Sequence, residues 1–156
     1  MGKQQPKMAV TASSMDDIGS VLSGLGFEWS LYESGSLIGN NKPDVLFINC
    51  GSAIDNNDLP QFVKSGGVVY ISDHAYPNFN SIVTATGHYS NIELSGDAGD
   101  YNAIVMDQDL SFYLGVGSLD IEFDMGQWAE IKSVPSNARI LLEVENQPVL
   151  ISLNYG

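Results

Sequence analysis

The chain has 156 residues, the usual size of one domain with a single core. Its 44% hydrophobic and 16% charged residues are typical of a globular protein and exclude intrinsic disorder. The net charge of −13, from 19 acidic and 6 basic residues, leaves no cationic stripe, so nucleic acids and anionic membrane surfaces are excluded as partners.

Two absences in the sequence indicate a cytoplasmic protein. No apolar run approaches the ~18 residues of a membrane span, and residues 1–10 are polar, so neither an anchor nor a signal peptide is predicted. The single cysteine, Cys50, has no partner for an internal disulfide, which agrees with a reducing compartment.

The first half alternates short apolar runs with segments of helical period, a pattern typical of a parallel sheet with helices on its faces. Strands are predicted at residues 7–12, 27–32, 44–49 and 68–72. The strand at 44–49 has no polar alternation and is expected to be covered on both faces, and the strand at 68–72 is expected to be buried as well. A helix is predicted over residues 15–25, opened by capping-box spacing from Ser14 to Asp17. Two more helices are expected after Asp58 and around Phe79, and the inner strands at 7–12, 44–49 and 68–72 are expected to run parallel.

The second half is mostly β. Strands are predicted near residues 92–94, 101–105, 119–123, 128–134, 140–144 and 149–153, with one short helix at 109–114. We expect these strands to extend the same sheet or to form a small sheet beside it, within one domain over residues 1–156. The last strand is expected to lack a neighbour, which a longer chain or another chain would supply.

Several motifs resemble the class I glutamine amidotransferase-like superfamily. They are the run from Pro43 to Asn49, the run Phe62-Val-Lys-Ser-Gly-Gly-Val-Val-Tyr-Ile-Ser-Asp-His-Ala-Tyr76, the helix around Leu110, and the pair Trp128-Ala129. Uncharacterised bacterial domains of that superfamily carry a similar Gly-Gly to Ser-Asp segment. The resemblance covers most of residues 8–156 and implies an α/β fold, a flavodoxin-like three-layer sandwich with a parallel central sheet and extra strands in the C-terminal half.

The chain departs from that superfamily where the chemistry would lie. Active glutamine amidotransferases place a cysteine in a Gly-x-Cys-x-Gly elbow after the strand predicted here at 68–72, and a His-x-Glu pair much later. This chain has Ser72, Asp73 and His74 at that turn and no histidine after His88. Acyl transfer from glutamine then has no nucleophile, so the resemblance implies a noncatalytic branch without amidotransferase activity.

The turn after the strand at 68–72 is the sharpest candidate site, because ligands bind at the carboxyl ends of strands in open α/β sheets. His74 is a candidate general base or metal ligand, with Asp73 or Ser72 orienting it and Tyr76 as a further ligand contact. Alternatively, Asp73 accepts backbone N–H bonds of the turn and His74 packs at its rim. We favour this structural role, because a His–Asp pair without a third convergent group rarely forms an active site.

Cys50 ends the neighbouring strand and is a candidate third group. No Lys, Arg or His is near it in sequence to stabilise a thiolate, so we expect it to pack as a small hydrophobe. Weak candidates for a hard cation are four loop carboxylates, Asp55, Asp58, Asp97 and Asp100. Neither loop has EF-hand spacing, so capping and turn formation explain them better, and we expect no metal and no other cofactor.

These observations support three hypotheses. The first is a noncatalytic binding or assembly module whose partner is a protein or a second copy of the chain. The second is a hydrolase-like or metal-assisted enzyme that uses Asp73 and His74, with Cys50 or Asp55 nearby. The third is a small-ligand sensor that uses the same crevice. An enzyme should have a pocket where Asp73 and His74 meet another titratable group, whereas a module should have that turn closed and an apolar patch elsewhere.

Overall fold

The structure, a computed structural model, describes residues 5–54, 57–85, 87 and 90–155. The chain divides into two compact units, of which the first ends at Ala85 and the second is formed by the rest of the chain. The assignment of residues 1–156 to one domain stays a prediction. Within the described ranges, no helix has the length and apolar character required to cross a membrane.

The first unit contains the predicted parallel sheet. Its described elements are β1 (Met8–Val10), α1 (Ile18–Gly24), β2 (Ser30–Leu31), β3 (Val45–Ile48), α2 (Leu59–Lys64), β4 (Val68–Ile71), a 3-10 turn (Asp73–Ala75) and α3 (Tyr76–Ala85). The strand order is β2-β1-β3-β4, and every adjacent pair is parallel. The expected parallel arrangement is therefore confirmed, in the order with which a flavodoxin-like sheet begins.

The sheet is buried at its centre and exposed at β4. The side chains of Val10, Leu46 and Ile48, on the two central strands, are fully buried. In contrast, Val68 is 58% and Tyr70 43% exposed, so the prediction that β4 is a buried strand is wrong. The reason is that β4 ends the strand order and has α2 and α3 packed against it, so that alternate side chains face solvent.

The first helix begins later than predicted. The sequence favoured residues 15–25, but α1 starts after Asp17, whose carboxylate accepts a hydrogen bond from the Ser20 N–H at 3.0 Å. The residues before it bond to the end of β3, where the Met15 N–H donates to the Cys50 carbonyl at 3.4 Å. Because these contacts are made across the sheet edge, the predicted capping box does not form, and Asp17 caps the helix instead.

The described strands of the second unit all pair antiparallel. Its described elements are β5 (Asn91–Gly96), β6 (Gly99–Val105), α4 (Gln108–Leu114), β7 (Ser118–Phe123), β8 (Trp128–Ser133), β9 (Ala138–Val144) and β10 (Gln147–Leu153). One sheet has the order β10-β9-β6-β7 and the other pairs β5 with β8, so all the predicted strands are present in sheets separate from the parallel one.

The last strand, β10, lies at one end of its sheet. Within the described residues it pairs with β9 and packs against β8, where the Gln147 side chain donates to the Ile131 carbonyl. Completion of β10 by a further strand stays a prediction.

Three aromatic rings join the two sheets of the second unit. The Phe123 and Trp128 rings stack with centroids 4.4 Å apart, and the Tyr101 ring meets both edge-on. The Asp97 carbonyl accepts hydrogen bonds from the Trp128 indole N–H at 2.8 Å and from the Tyr101 hydroxyl at 3.0 Å. The Trp128 ring lies so close to Gly96 that no side chain fits between them.

Replacing Gly96 with alanine is expected to destabilise the second unit. The new Cβ would lie 2.1 Å from the Trp128 ring, so the ring must move and its stacking on Phe123 is lost. We expect the free energy of unfolding to fall by about 1–3 kcal/mol, measured by denaturant unfolding followed by tryptophan fluorescence. Gly117→Ala is the matched control, since nothing lies within 4 Å of its Cβ position. Equal stability of the two variants would contradict this packing.

Candidate functional site

The carboxyl ends of β1, β3 and β4 meet at one edge of the parallel sheet. The chain crosses from β2 on one side of β1 to β3 on its other side, which makes this edge a topological switch point, the usual ligand position in open α/β sheets. The polar residues that follow these strands, including Asn49, Cys50, Ser72, Asp73 and His74, all lie at this edge.

Asn49 joins two strands to the first helix. Its N–H donates to Thr11 Oγ1 at 2.9 Å, and its Nδ2 donates to the Thr11 carbonyl at 2.7 Å. Its Oδ1 accepts a hydrogen bond from the Ile18 N–H at 2.9 Å, at the start of α1. Since the Asn49 side chain is buried, these bonds satisfy an amide that would otherwise destabilise the fold. Asn49 therefore has a structural role that the sequence did not identify.

Asp16 joins the ends of β3 and β4. Its Oδ1 accepts a hydrogen bond from the Cys50 N–H, and its Oδ2 accepts one from the Ser72 hydroxyl, each at 2.6 Å. Hydrogen bonds to a carboxylate are stronger than those between neutral groups. Asp16 was not among the predicted site residues, because the helical period placed it inside the first helix. The available signal was an acidic pair, Asp16 and Asp17, shortly after a strand that leads to the switch point.

Asp73 and His74 lie in a strained turn. Asp73 has a φ of +25°, a value that residues other than glycine seldom adopt, and it begins the 3-10 turn between β4 and α3. The His74 Nε2 lies 3.7 Å from Asp73 Oδ2, with both side chains partly exposed. Such strain is concentrated at functional sites, where the surrounding structure maintains it.

Cys50 lies beside this turn as a buried thiol. Its Sγ is 3.9 Å from Asp73 Oδ2 and 3.8 Å from the Met15 sulfur. Burial raises the pKa of the Cys50 thiol; a hydrogen bond from the His74 backbone N–H opposes this, while the carboxylates of Asp73 and Asp16 raise it further. The thiol therefore stays protonated at neutral pH and is a poor nucleophile.

The remaining candidates lie elsewhere or have structural roles. Tyr76 begins α3 and is half-buried, and Asp58 directly precedes α2. The Asp97 carbonyl accepts the hydrogen bonds from Trp128 and Tyr101. Asp100 lies opposite Glu122 where β6 pairs with β7. Asp55 and His88 lie outside the described residues. Among the residues that are described, no three His, Cys, Asp or Glu side chains are grouped to hold a metal ion.

Comparison with known proteins identifies the fold. No protein-family model matches the sequence, and neither does any curated protein. The similar solved structures include a putative GMP synthase protein from Thermoplasma acidophilum (TM-score 0.62, 13% identity, 97% of this chain and 80% of that one). A glutamine amidotransferase from Thermotoga maritima is also similar, with a TM-score of 0.60 and 8% identity over 97% of this chain and 73% of that one. A glutamine amidotransferase from Methylobacillus flagellatus has a TM-score of 0.61 and 13% identity over 96% of this chain and 66% of that one.

The chain has the glutamine amidotransferase-like fold. The likeness confirms the flavodoxin-like α/β architecture that the motifs from Pro43 to Tyr76 implied. At 8 to 13% identity the likeness concerns the fold alone, so the activity of this chain must be argued from its own residues.

Asp16→Asn is expected to loosen the carboxyl edge of the sheet. The substitution turns one acceptor oxygen into an NH₂ donor that faces either the Cys50 N–H or the Ser72 hydroxyl. The lost charge-assisted bond should lower the free energy of unfolding by about 1–3 kcal/mol, measured in urea by circular dichroism.

Asp17→Asn is the matched control for this charge change, since asparagine caps a helix as well as aspartate does. If the Asp16 variant were as stable as the Asp17 variant, Asp16 would not join the strand ends.

Proposed function

We propose that this chain is a noncatalytic binding module built on the glutamine amidotransferase-like fold. The observation that carries the proposal is the turn after β4. In the turn where the resemblance would place a nucleophilic cysteine, the chain has Ser72, Asp73 and His74, and the Ser72 hydroxyl already donates to Asp16. An aspartate can accept protons or bind cations there, but it does not provide the thiolate that acyl transfer from glutamine requires.

The other nucleophile at this edge lacks activation. The Cys50 thiol is buried, and the carboxylates beside it disfavour the thiolate, whereas active cysteines lie near cations or helix N-termini. The His74 ring nitrogen lies against Asp73, and no hydrogen bond joins it to Ser72 or Cys50 among the contacts of the described residues. Among the described residues, His74 is therefore not paired with a nucleophile, as covalent catalysis by a histidine base requires.

The first unit has a hollow, but it lies away from this turn. The hollow is lined by Leu37, Ile38, Gly39, Lys42, Gln61, Phe62 and Ser65. Lys42 donates to the Ser65 hydroxyl at 2.8 Å and lies over the Phe62 ring, so its ammonium is engaged at the end of α2. Asp73 and His74 therefore do not line this hollow, whereas the enzyme hypothesis calls for a pocket that they share with another titratable group.

The second unit supplies the exposed apolar surface that a binding module needs. Phe112 and Tyr113, on α4, are 91% and 87% exposed. Exposed aromatic side chains grouped with other apolar residues are typical of protein interaction sites.

The proposal predicts that the chain releases no ammonia from glutamine. The wild-type protein and Cys50→Ala should both match the buffer blank at neutral pH, because the thiol is protonated there and no base activates it. A coupled glutamate dehydrogenase assay measures the release, with an active glutaminase as positive control. Thiol labelling of the wild type should be slow at neutral pH and accelerate in the alkaline range. Ammonia release that Cys50→Ala abolishes would overturn the proposal.

A second candidate is a small-ligand site at the same edge, without chemistry. The strained φ of Asp73 beside the half-buried His74 favours it, since strain often marks ligand-binding turns. This candidate and the binding module make different predictions for His74→Ala.

His74→Ala should change the free energy of unfolding by less than about 1 kcal/mol, because a rim side chain buries little apolar area. If the edge binds a small ligand, glutamine, glutamate or inorganic phosphate should raise the melting temperature of the wild type but not that of the variant. Differential scanning fluorimetry measures both. A wild type that none of these probes stabilises would leave the binding module as the supported function.

A further inference from the structure

Helix α4 is held in place although its side chains contribute nothing to the core. None of its residues is buried. Its first turn is capped by Asp107, whose carboxylate accepts the Leu110 N–H at 2.9 Å, and its end is closed by Gly115 in the left-handed conformation. Arg139 of β9 donates to Asp107 and, at 3.4 Å, to Asp109. Polar bonds at both ends, with little apolar burial, therefore hold this short helix in place.

The result is an apolar surface of fixed shape, here called the α4 face. Its exposed members are Ile104, Met106, Phe112, Tyr113, Leu114 and Val116. Two contacts bring the chain on either side of the helix together: the Val105 N–H donates to the Gly117 carbonyl at 2.9 Å, and the Ser111 hydroxyl donates to the Val116 carbonyl at 3.0 Å. A surface that is ordered before binding loses less conformational entropy on association.

The net charge of the unit that carries the α4 face indicates the charge of a suitable partner. Residues 86–156 contain 11 acidic and 2 basic residues. Both cations are already in ion pairs, Arg139 with Asp107 and Asp109, and Lys132 with Glu130 at 2.6 Å. Asp109, in the first turn of α4, has its side chain 92% exposed, so it can gain a further cationic partner only from outside this unit.

We propose that the α4 face binds a cationic amphipathic segment of a partner protein. Its apolar side would cover Phe112 and Tyr113, and its Lys or Arg side chains would pair with Asp109 and be attracted by the net negative charge of the second unit. A second copy of this chain fits less well, because it would bring the same excess of acids against the face. The inference rests on the proposed function, since it names the partner of the binding module.

The test uses the full chain and three labelled peptides of about 18 residues, a length that gives several helical turns. One combines a leucine face with lysines, one has the same leucines with glutamates, and one has the lysines with serines in place of the leucines. Fluorescence anisotropy should give a dissociation constant about tenfold lower for the Leu/Lys peptide than for either of the others, and its binding should weaken in roughly 0.5 M salt.

The double variant Phe112→Ala, Tyr113→Ala should weaken binding of the Leu/Lys peptide at least about tenfold, because exposed aromatics dominate such interfaces. Both side chains are exposed, so circular dichroism should show an unchanged fold. Val21→Ala with Leu25→Ala, exposed apolar residues of the first unit, is the matched control and should bind like the wild type.

Three outcomes would overturn the inference. The first is unchanged peptide binding by the variant Phe112→Ala, Tyr113→Ala, and the second is equal affinity of the wild type for the Leu/Lys and Leu/Glu peptides. The third is self-association of the wild type in sedimentation that this variant abolishes, because a second copy of the chain would then be the occupant. The assay is independent of ammonia release. A failure here with no glutaminase activity leaves the noncatalytic module intact and removes only this partner, whereas glutaminase activity that depends on Cys50 refutes the module itself.

Discussion

The carboxylate of Asp16 is the contact on which the carboxyl edge of the parallel sheet depends. It reaches from the loop after β1 to the Cys50 N–H after β3 and to the Ser72 hydroxyl after β4, so one side chain connects three strand ends. Asn49 adds a second connection between β1, β3 and α1. The polar groups at this edge, which could otherwise contact a ligand, form hydrogen bonds with one another. Closure of this edge stabilises the sheet and at the same time removes the hydroxyl and the carboxylate from chemistry.

The local pattern of apolar and turn residues was sufficient to locate the strands. It was not sufficient to show which of their side chains are exposed. Apolar runs and turn residues located β3, β4 and the six strands of the second half, because strand formation follows from short-range side-chain period. They did not show that Val68 and Tyr70 of β4 are exposed, since that depends on strand order, which is set by contacts between distant residues. The start of α1 was misplaced for the same reason: Met15 and Asp16 bond to Cys50, 34 or more residues away.

The candidate site was predictable in position but not in composition. The rule that ligands bind at carboxyl strand ends was enough to select Ser72, Asp73 and His74, which the structure places at the switch point with Cys50. Asp16 was not selected, because its importance arises from the side chains it meets and not from its sequence neighbours. Hydrogen-bond partners across a sheet have no sequence signature, so they could be found only once the chain was folded.

The two units differ in which side chains are satisfied by contacts within the unit. This difference is the basis of the proposed function. At the switch point, polar side chains lie close together and satisfy one another, while on α4 large aromatic side chains face solvent and polar bonds at the helix ends keep them there. Exposing apolar surface is unfavourable by roughly 25 cal/mol per Å² relative to burying it. In a flexible loop, Phe112 and Tyr113 could collapse onto the core. Because the helix keeps them outside the core, the free energy of burying them remains available for association. Among the described residues, the two most exposed large apolar side chains thus lie on α4, and the proposed binding there would need no participation from the carboxyl edge of the parallel sheet.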